Sequence, residues 1–244
     1  MKNYFLKTTP DHQNALKDIW NAFMVKNAEF SEHDIPLCPT TALEIPKALI
    51  SYEEAKNIHK NMLHSKNNDY HVNAFIHCFD HDTKIDGKNN GCWSNPQKML
   101  QIAKHFDGCI SVDFSTYADF PDPLKRYNFY RMNAIGAWLA AEGIPVISNV
   151  RWGTEDTWEY CFDGNPHNSM LCLGTVASNL KFKANYELFA EGLLKMVEVL
   201  SPRVLIVYGS SNYPCFDEII KLGIQVVTFK SKTCECFERR SSDE

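Results

Sequence analysis

The sequence lacks the features that would direct the chain to a membrane or to a nucleic-acid backbone. None of its apolar runs approaches the roughly 18 residues that a membrane span needs, and the run after Met1 is too short for a signal-peptide core. The net charge is −5, and in no third of the chain do Lys and Arg outnumber Asp and Glu. We therefore expect a cytoplasmic protein with no membrane partner, and broad nucleic-acid binding is not expected.

Cysteine is present, but without the pattern of a disulfide framework. The nine cysteines are odd in number, and some lie inside apolar, strand-like runs, as Cys109 and Cys172 do. Because disulfide frameworks are typical of much smaller secreted chains, we expect reduced thiols. Cys234 and Cys236 could form a metal or redox pair, but no CxxC partner exists elsewhere, so a solvated tail is favoured.

Common catalytic signatures are missing as well. There is no Gly-x-Ser-x-Gly elbow, and no cysteine stands in a recognisable nucleophile context. The segment Tyr208-Gly209-Ser210-Ser211 lacks the full glycine pattern of a dinucleotide site and the lysine of a P-loop. We interpret it as a tight turn, with the alternative that its N–H groups face an anion. The residues indicate no particular cofactor.

The feature that is present is a regular alternation of strand-like and helix-like segments from residue 72 onward. Such repeats produce parallel strands joined by right-handed crossovers, and near-continuous apolar runs indicate strands that are covered on both faces. We predict an α/β fold with about six mainly parallel strands, in an open doubly wound sheet or a partial barrel. The predicted strands are 72–79, 109–114, 144–150, 170–173, 204–208 and 225–229.

Helix starts and domain limits follow from local signals. Ser51 and Glu54 form a capping-box pattern, and proline at a first helical position marks two further starts. The predicted helices are about 11–23, 52–64, 96–105, 123–143, 154–160 and 184–200. A length of 244 residues suits one large domain. The chain divides into a helical N-terminal extension (1–70), an α/β domain (71–230) and a polar tail (231–244).

Polar side chains at the carboxyl ends of the predicted strands form the candidate site, since ligands of parallel α/β folds gather there. Asp113 and Ser115 follow the second strand, and Asn149 and Arg151 share one face at the end of the third. This set suits a small anionic or nucleotide-like ligand. Arg151 would clamp the anion, Asp113 would accept hydrogen bonds or act as a general base, and the other two would orient the ligand. A structural Asp113–Arg151 ion pair is the alternative.

The remaining candidates come from neighbouring loops and from one helix. Tyr208 and Gly209 belong to a turn where glycine permits close backbone approach to a ligand. Trp152 would provide an apolar wall, or would pack a short helix against the strand edge. Arg131 lies near a packed helix face, where it would reach a carboxylate such as Asp113 or Asp163. Asp163 is itself a candidate ligand-binding residue.

A second functional hypothesis is a metal-dependent nuclease or phosphohydrolase that uses Asp113, Asp80, His77 and Asp163. His77, Asp80, His81 and Asp82 are of metal-ligand types, but their spacing matches no known metal signature. A metal site there would need Asp113 as a further ligand. A solvated loop is favoured, and no set of metal ligands is predicted.

A group of short motifs lies at 108–117, 119–121, 130–131, 143, 147–153, 161–164 and 207–209. Together these motifs resemble the domain-of-unknown-function family numbered 4417, whose members look like proteins of bacteria, phages and mobile elements. The resemblance covers roughly residues 70–230 and implies no catalytic residues. The turn at 173–178 departs from the Ser/Thr-rich turn of the family. The resemblance implies a third hypothesis: a non-enzymatic protein of a mobile element that binds a host factor or sequesters a signal molecule.

Overall fold

Seven parallel strands form one sheet in the computed structural model, which describes residue 18 and residues 20–88, 91–176 and 178–231. The strands are β1 (Leu49–Ser51), β2 (Val72–His77), β3 (Phe106–Ile110), β4 (Val146–Asn149), β5 (Met170–Gly174), β6 (Val204–Tyr208) and β7 (Gln225–Phe229). Each pairs in parallel with the strand before it. The predicted parallel α/β fold is confirmed, and β1 is a strand beyond the six predicted from the sequence.

The strand order decides between the two architectures that the sequence left open. A doubly wound sheet reverses its direction of winding, whereas β1 to β7 follow one another without reversal. Right-handed crossovers in a constant direction place the helices on the same face of the sheet. The sheet curls toward its other face into a half-barrel. As a result, His77 at the end of β2 meets Tyr208 at the end of β6, with ring centroids 4.0 Å apart.

Six helices alternate with these strands in the described residues. They are α1 (Tyr52–His64), α2 (Asp82–Ile85), α3 (Pro96–Ala103), α4 (Asp122–Ala141), α5 (Lys183–Leu200) and α6 (Pro214–Lys221). None of the helices in this part of the chain is long and apolar enough to cross a membrane. Most of the predicted helix 11–23 lies outside the described residues, and its end forms a 3-10 turn, Ala22–Val25. The predicted helix 154–160 is only a 3-10 turn, Glu155–Thr157.

The two faces of the sheet carry separate hydrophobic cores. The larger one lies between the sheet and the helices and includes Leu139 of α4 and Leu193 of α5. The smaller one lines the concave face, with Phe75, Ile110, Ile147, Met170, Cys172 and Ile206 as its buried members. Alternation along each strand separates the two sets, because successive side chains point to opposite faces.

A segment preceding β1 fills a split in the sheet. β4 pairs with β5 only at residues 148–149 and 171–172, because residues 38–42 pass between the starts of these strands. The Thr40 hydroxyl accepts the N–H of Ser148 at 3.0 Å and donates to the carbonyl of Met170 at 2.8 Å. The polar groups at the split are thereby satisfied. Both this segment and β1, which follows it, contribute to the sheet.

Candidate functional site

Asp113, Asn149 and Arg151 meet at the carboxyl ends of β3 and β4 in one hydrogen-bonded group, called the Asp113 group below. Nη1 of Arg151 lies 2.9 and 2.7 Å from the two carboxylate oxygens of Asp113. Nδ2 of Asn149 donates to Oδ1 of the same carboxylate at 3.0 Å. The structure therefore brings together the acid, the amide and the guanidinium on which the sequence hypothesis depends.

The Asp113 group is partly open to solvent. The side chain of Arg151 is 27% exposed and that of Asp113 is 13% exposed, so the guanidinium is the more accessible member. The ion pair cancels its own charge. Oδ1 of Asn149 is buried and has no hydrogen-bond partner among the described residues. A buried acceptor without a donor costs about 1–3 kcal/mol, so this atom marks the place where a donor is needed.

Two supporting residues were not singled out from the sequence. Thr116 Oγ1 accepts a hydrogen bond from Nε of Arg151 at 3.2 Å, which holds the guanidinium at a second point. On the helix side, Nδ2 of Asn165 donates to the carbonyl of Asn149 at 2.9 Å and to Oγ of Ser148 at 2.8 Å. The available signal for Thr116 was its place three residues after Asp113. Asn165 carried no such signal, because its contact depends on the loop that returns to β4.

The concave face next to the Asp113 group is walled by aromatic rings. Tyr208 lies 4.0 Å from the ring of His77 and 5.4 Å from that of Phe79, measured between centroids. The ring of Phe79 occupies the space where a side chain at Gly174 would stand. Cys172, which pairs with Asn149 across β4 and β5, has its pKa raised well above the usual value by burial and by the nearby charge of Asp113. Its thiol is therefore protonated and unreactive at neutral pH.

The turn after β6 uses its N–H groups within the protein. Gly209 has a φ of +125°, which favours glycine, and its N–H donates to the carbonyl of Phe229 at 2.8 Å. The N–H of Ser210 donates to Oγ1 of Thr175 at 2.9 Å, and its carbonyl accepts from the same hydroxyl at 3.0 Å. This geometry is that of the tight turn expected from the sequence, because the N–H groups of Gly209 and Ser210 both donate to acceptors within the protein.

Arg131 belongs to a different cluster. Its Nη1 donates to Asp86 at 2.6 Å, and its Nη2 donates to Oδ1 of Asn128 at 2.6 Å. The guanidinium also lies over the ring of Phe114, 4.1 Å from the centroid. The carboxylate partner of Arg131 is thus Asp86, because α4 faces the segment after α2 at this point.

Trp152 and Asp163 lie on the helix side of the sheet. The ring of Trp152 packs against Phe189 of α5, 5.2 Å between centroids, and occupies the space beside Gly192. Asp163 hydrogen bonds to Nδ1 of His33 at 2.6 Å. Trp152 therefore packs against α5, whereas the alternative from the sequence had it pack the short helix 154–160, and Asp163 is paired with His33.

The loop after β2 is held by contacts within the protein. Asp80 forms an ion pair with Lys84 at 3.0 Å, and Oδ1 of Asp82 accepts the N–H of Ser115 at 3.3 Å. The carbonyl of Ser115 accepts a hydrogen bond from Asn128, so its backbone is fixed on both sides. Within the described ranges, no three His, Cys, Asp or Glu side chains are placed to hold a metal ion. The metal ligands that the nuclease hypothesis requires are therefore not brought together in the described residues.

Comparisons with known proteins find one family and two phage proteins to which the chain is similar. The family described as "Domain of unknown function (DUF4417)" matches residues 29–230. "Gene 1 protein" of Mycobacterium phage L5 is 32% identical over 121 residues, which are 50% of this chain and 52% of that protein. "Gene 1 protein" of Mycobacterium phage D29 is 31% identical over 121 residues, 50% of this chain and 44% of that protein. The chain thus spans about half the length of these curated relatives. No solved structure matches the chain.

Proposed function

The chain belongs to the DUF4417 family of domains of unknown function, and we propose that its Asp113 group binds a small anionic ligand of phosphorylated or nucleotide-like chemistry. The observation that carries this proposal is the unpartnered, buried Oδ1 of Asn149 beside a partly exposed arginine. Both lie at the carboxyl ends of parallel strands, where ligands of curled and open α/β sheets bind.

Arg151 is the proposed anion contact because its guanidinium is held in place and one end remains available. Asp113 engages Nη1 and Thr116 engages Nε, whereas Nη2 makes no hydrogen bond to any residue that the structure describes. A guanidinium fixed at two nitrogens loses little freedom when it binds an oxyanion through the third.

Asn149 sets a second requirement on the ligand. Its Oδ1 is an acceptor without a donor in the described part of the chain, so the proposed ligand also carries an N–H or O–H group near the anion. Inorganic phosphate in its dianionic form offers one such proton at most, whereas a sugar hydroxyl or a base amide of a nucleotide provides several. A ligand with both an anionic and a neutral donor group therefore fits better than a bare anion.

Asp113 has an orienting role in this proposal. Its carboxylate accepts bonds from both Arg151 and Asn149 and so fixes the positions of the other two side chains. If the ligand reacts, Asp113 is the proposed general base, because it is the carboxylate of the group. Asp113→Asn tests this role, with loss of turnover larger than loss of affinity as the expected result.

Calorimetric titration with ADP tests the binding proposal. We expect binding to the wild type and a loss of at least about tenfold in Arg151→Gln, since a hydrogen bond to a charged group contributes about 1.5–3 kcal/mol. Arg126→Gln is the matched control, because Arg126 forms an exposed ion pair with Asp122 on α4. Failure of ADP, AMP and pyrophosphate to bind the wild type at millimolar concentration contradicts the proposal.

A second candidate function, sequestration without turnover, is favoured by the phage origin of the two relatives. In this alternative the same group holds its ligand tightly and leaves it unchanged. Mass spectrometry of protein purified from the host and then denatured identifies any small molecule that is released. Recovery of an intact ligand that survives prolonged incubation with the protein supports sequestration, and recovery of a converted product contradicts it.

A further inference from the structure

The loop that follows β3 carries an exposed aromatic residue close to the Asp113 group. Tyr117 is 55% exposed, and it comes directly after Thr116, whose Oγ1 accepts the hydrogen bond from Nε of Arg151 at 3.2 Å. The Cα atoms of consecutive residues are about 3.8 Å apart. An accessible ring therefore starts one residue away from the contact that holds the proposed anion-binding arginine.

The backbone on both sides of Tyr117 is fixed by hydrogen bonds. The N–H of Ser115 donates to Asp82, and the carbonyl of Ser115 accepts from Asn128. After Tyr117, the chain turns, and the N–H of Phe120 donates to the carbonyl of Tyr117 at 3.0 Å. A loop that is already ordered loses little freedom when a ligand binds, so the position of this residue is preorganised.

One face of the Tyr117 ring is not covered by its aromatic neighbour. Phe120 meets the ring at 87°, with centroids 5.1 Å apart, and no other aromatic ring among the described residues contacts it. Two perpendicular rings touch through the edge of one and a face of the other, so at least one face of Tyr117 is free of Phe120. An accessible tyrosine face is a surface on which a flat ring can stack.

A second exposed apolar residue lies on the other side of Arg151. β4 lies between β3 and β5 in the sheet, and Val176, which follows the end of β5, is 47% exposed. Adjacent strands are about 4.8 Å apart, so the loops after β3 and β5 begin about 10 Å apart. The partly exposed guanidinium is thus flanked by one loop that carries Tyr117 and another that carries Val176.

We propose that the ligand of the Asp113 group carries a nucleobase and that Tyr117 is the residue on which this base stacks. This inference rests on the proposed function, because it requires an anionic group at Arg151. The ligand is thereby narrowed to a nucleotide, since a sugar phosphate has no flat ring to offer to Tyr117. Stacking on an aromatic face tolerates every base, so this contact selects nucleotides over sugar phosphates without choosing among bases.

AMP and ribose 5-phosphate test the inference, because they share a ribose and a phosphate and differ by the base. In calorimetric titrations of the wild type, we expect AMP to bind at least about tenfold more tightly than ribose 5-phosphate, since a base gains this much from stacking on an aromatic ring. In Tyr117→Ala, AMP should lose about tenfold in affinity, whereas ribose 5-phosphate should bind as it does to the wild type. Tyr117→Phe keeps the ring and should bind AMP as the wild type does.

Two further variants separate stacking from other effects. Trp20→Ala is the matched control, because Trp20 is 66% exposed and precedes the 3-10 turn Ala22–Val25 on the helix side of the sheet. Its affinity for AMP should equal that of the wild type. Arg151→Gln should weaken AMP and ribose 5-phosphate alike, because both ligands carry the phosphate.

Two results overturn this inference and leave the proposed function standing, provided that Arg151→Gln still weakens binding. One is equal affinity of the wild type for AMP and ribose 5-phosphate, and the other is unchanged AMP affinity in a folded Tyr117→Ala protein. If Tyr117→Ala fails to fold, Tyr117→Leu takes its place, because leucine keeps an apolar contact for Phe120 and lacks a flat ring. Failure of ADP, AMP and pyrophosphate to bind the wild type overturns the proposed function and this inference together.

Discussion

Two arginine–aspartate pairs in this molecule have the same chemistry and different surroundings. Arg131 and Asp86 meet at 2.6 Å, and Arg151 and Asp113 meet at 2.7 Å. The side chain of Arg131 is 10% exposed, however, whereas that of Arg151 is 27% exposed. The geometry of each pair is therefore similar, and access to the guanidinium distinguishes them.

The rings around Arg131 explain the difference in access. Its guanidinium lies 4.1 Å from the ring centroid of Phe114 and 4.9 Å from that of Tyr127, and Asn128 takes Nη2. Arg151 is held at two nitrogens, by Asp113 at Nη1 and by Thr116 at Nε, and its Nη2 makes no hydrogen bond to a described residue. An arginine that packs against rings and donates from both Nη atoms stabilises the fold, whereas one with a free Nη nitrogen and more exposure can still receive a ligand.

The largest expected effect is on stability at Arg131. Arg131→Ala leaves Asp86 without its cation and removes packing from Phe114, so we expect a loss of about 3 kcal/mol in the free energy of unfolding. Arg131→Lys recovers little of this, because lysine cannot make both hydrogen bonds in one plane. Urea denaturation followed by circular dichroism measures both variants. A loss below about 1 kcal/mol in the free energy of unfolding of Arg131→Ala would contradict the structural role assigned to Arg131.

A smaller effect on stability is expected at the other pair. Arg151→Gln keeps an amide donor near Asp113 and exposes no ring, so we expect a loss of about 1 kcal/mol, together with the loss of ADP binding described above. The same urea experiment, with Arg126→Gln as control, compares it directly with Arg131→Ala. Equal destabilisation at the two arginines would favour the structural ion pair, the alternative that the sequence left open.

The smallest expected effect is a pH dependence of the folding stability, caused by a third pair, His33 and Asp163. His33 bridges Asp163 at 2.6 Å and Glu159 at 3.1 Å, and these contacts raise its pKa above 6.5. The charges that face it, including that of Glu32, are all acidic. These contacts stabilise the fold fully below pH 6.5, which is the pKa of His33 in the unfolded chain. The stabilisation is lost as the pH rises through the raised pKa of His33 in the folded protein.

Thermal midpoints of the wild type and His33→Gln between pH 5 and pH 9 measure this dependence. We expect the wild type to be more stable by about 0.5 kcal/mol at pH 5, with the difference vanishing at high pH. Asp163→Asn should remove most of the same dependence, because its carboxylate is the principal partner of His33. A difference in thermal midpoint between the wild type and His33→Gln that grows with pH would contradict the raised pKa of His33.

Elements with strong local signals were predictable, and elements that depend on pairing were not. The predicted helix 52–64 is confirmed as α1, and both bonds of the Ser51–Glu54 capping box are present. This signal spans only four residues. β1, by contrast, has three residues and was not predicted, because its extended form is stabilised by pairing with β2. The insertion of residues 38–42 between β4 and β5 likewise has no local signature.

The residues of the candidate site also differ in how well the sequence predicts their positions. Asp113, Asn149 and Arg151 were predictable because period-two alternation places polar residues at the ends of adjacent strands, and β3 and β4 are adjacent. Trp152 and Asp163 follow the same strand end, yet Trp152 packs against Phe189 of α5 and Asp163 hydrogen bonds to His33. Beyond a strand end, sequence proximity to a site no longer predicts contact with it.

The alternation of strands and helices, the helix starts and the set of polar residues at the strand ends all follow from the amino-acid sequence, because each depends on neighbours within a few positions. The winding of the sheet in one direction into a half-barrel depends instead on the tertiary structure. The tertiary structure also set the partner of Arg131, which meets Asp86 rather than Asp113 or Asp163. Those outcomes depend on how distant segments pack together, and the pairing of two charges far apart in sequence is set by that packing rather than by either residue.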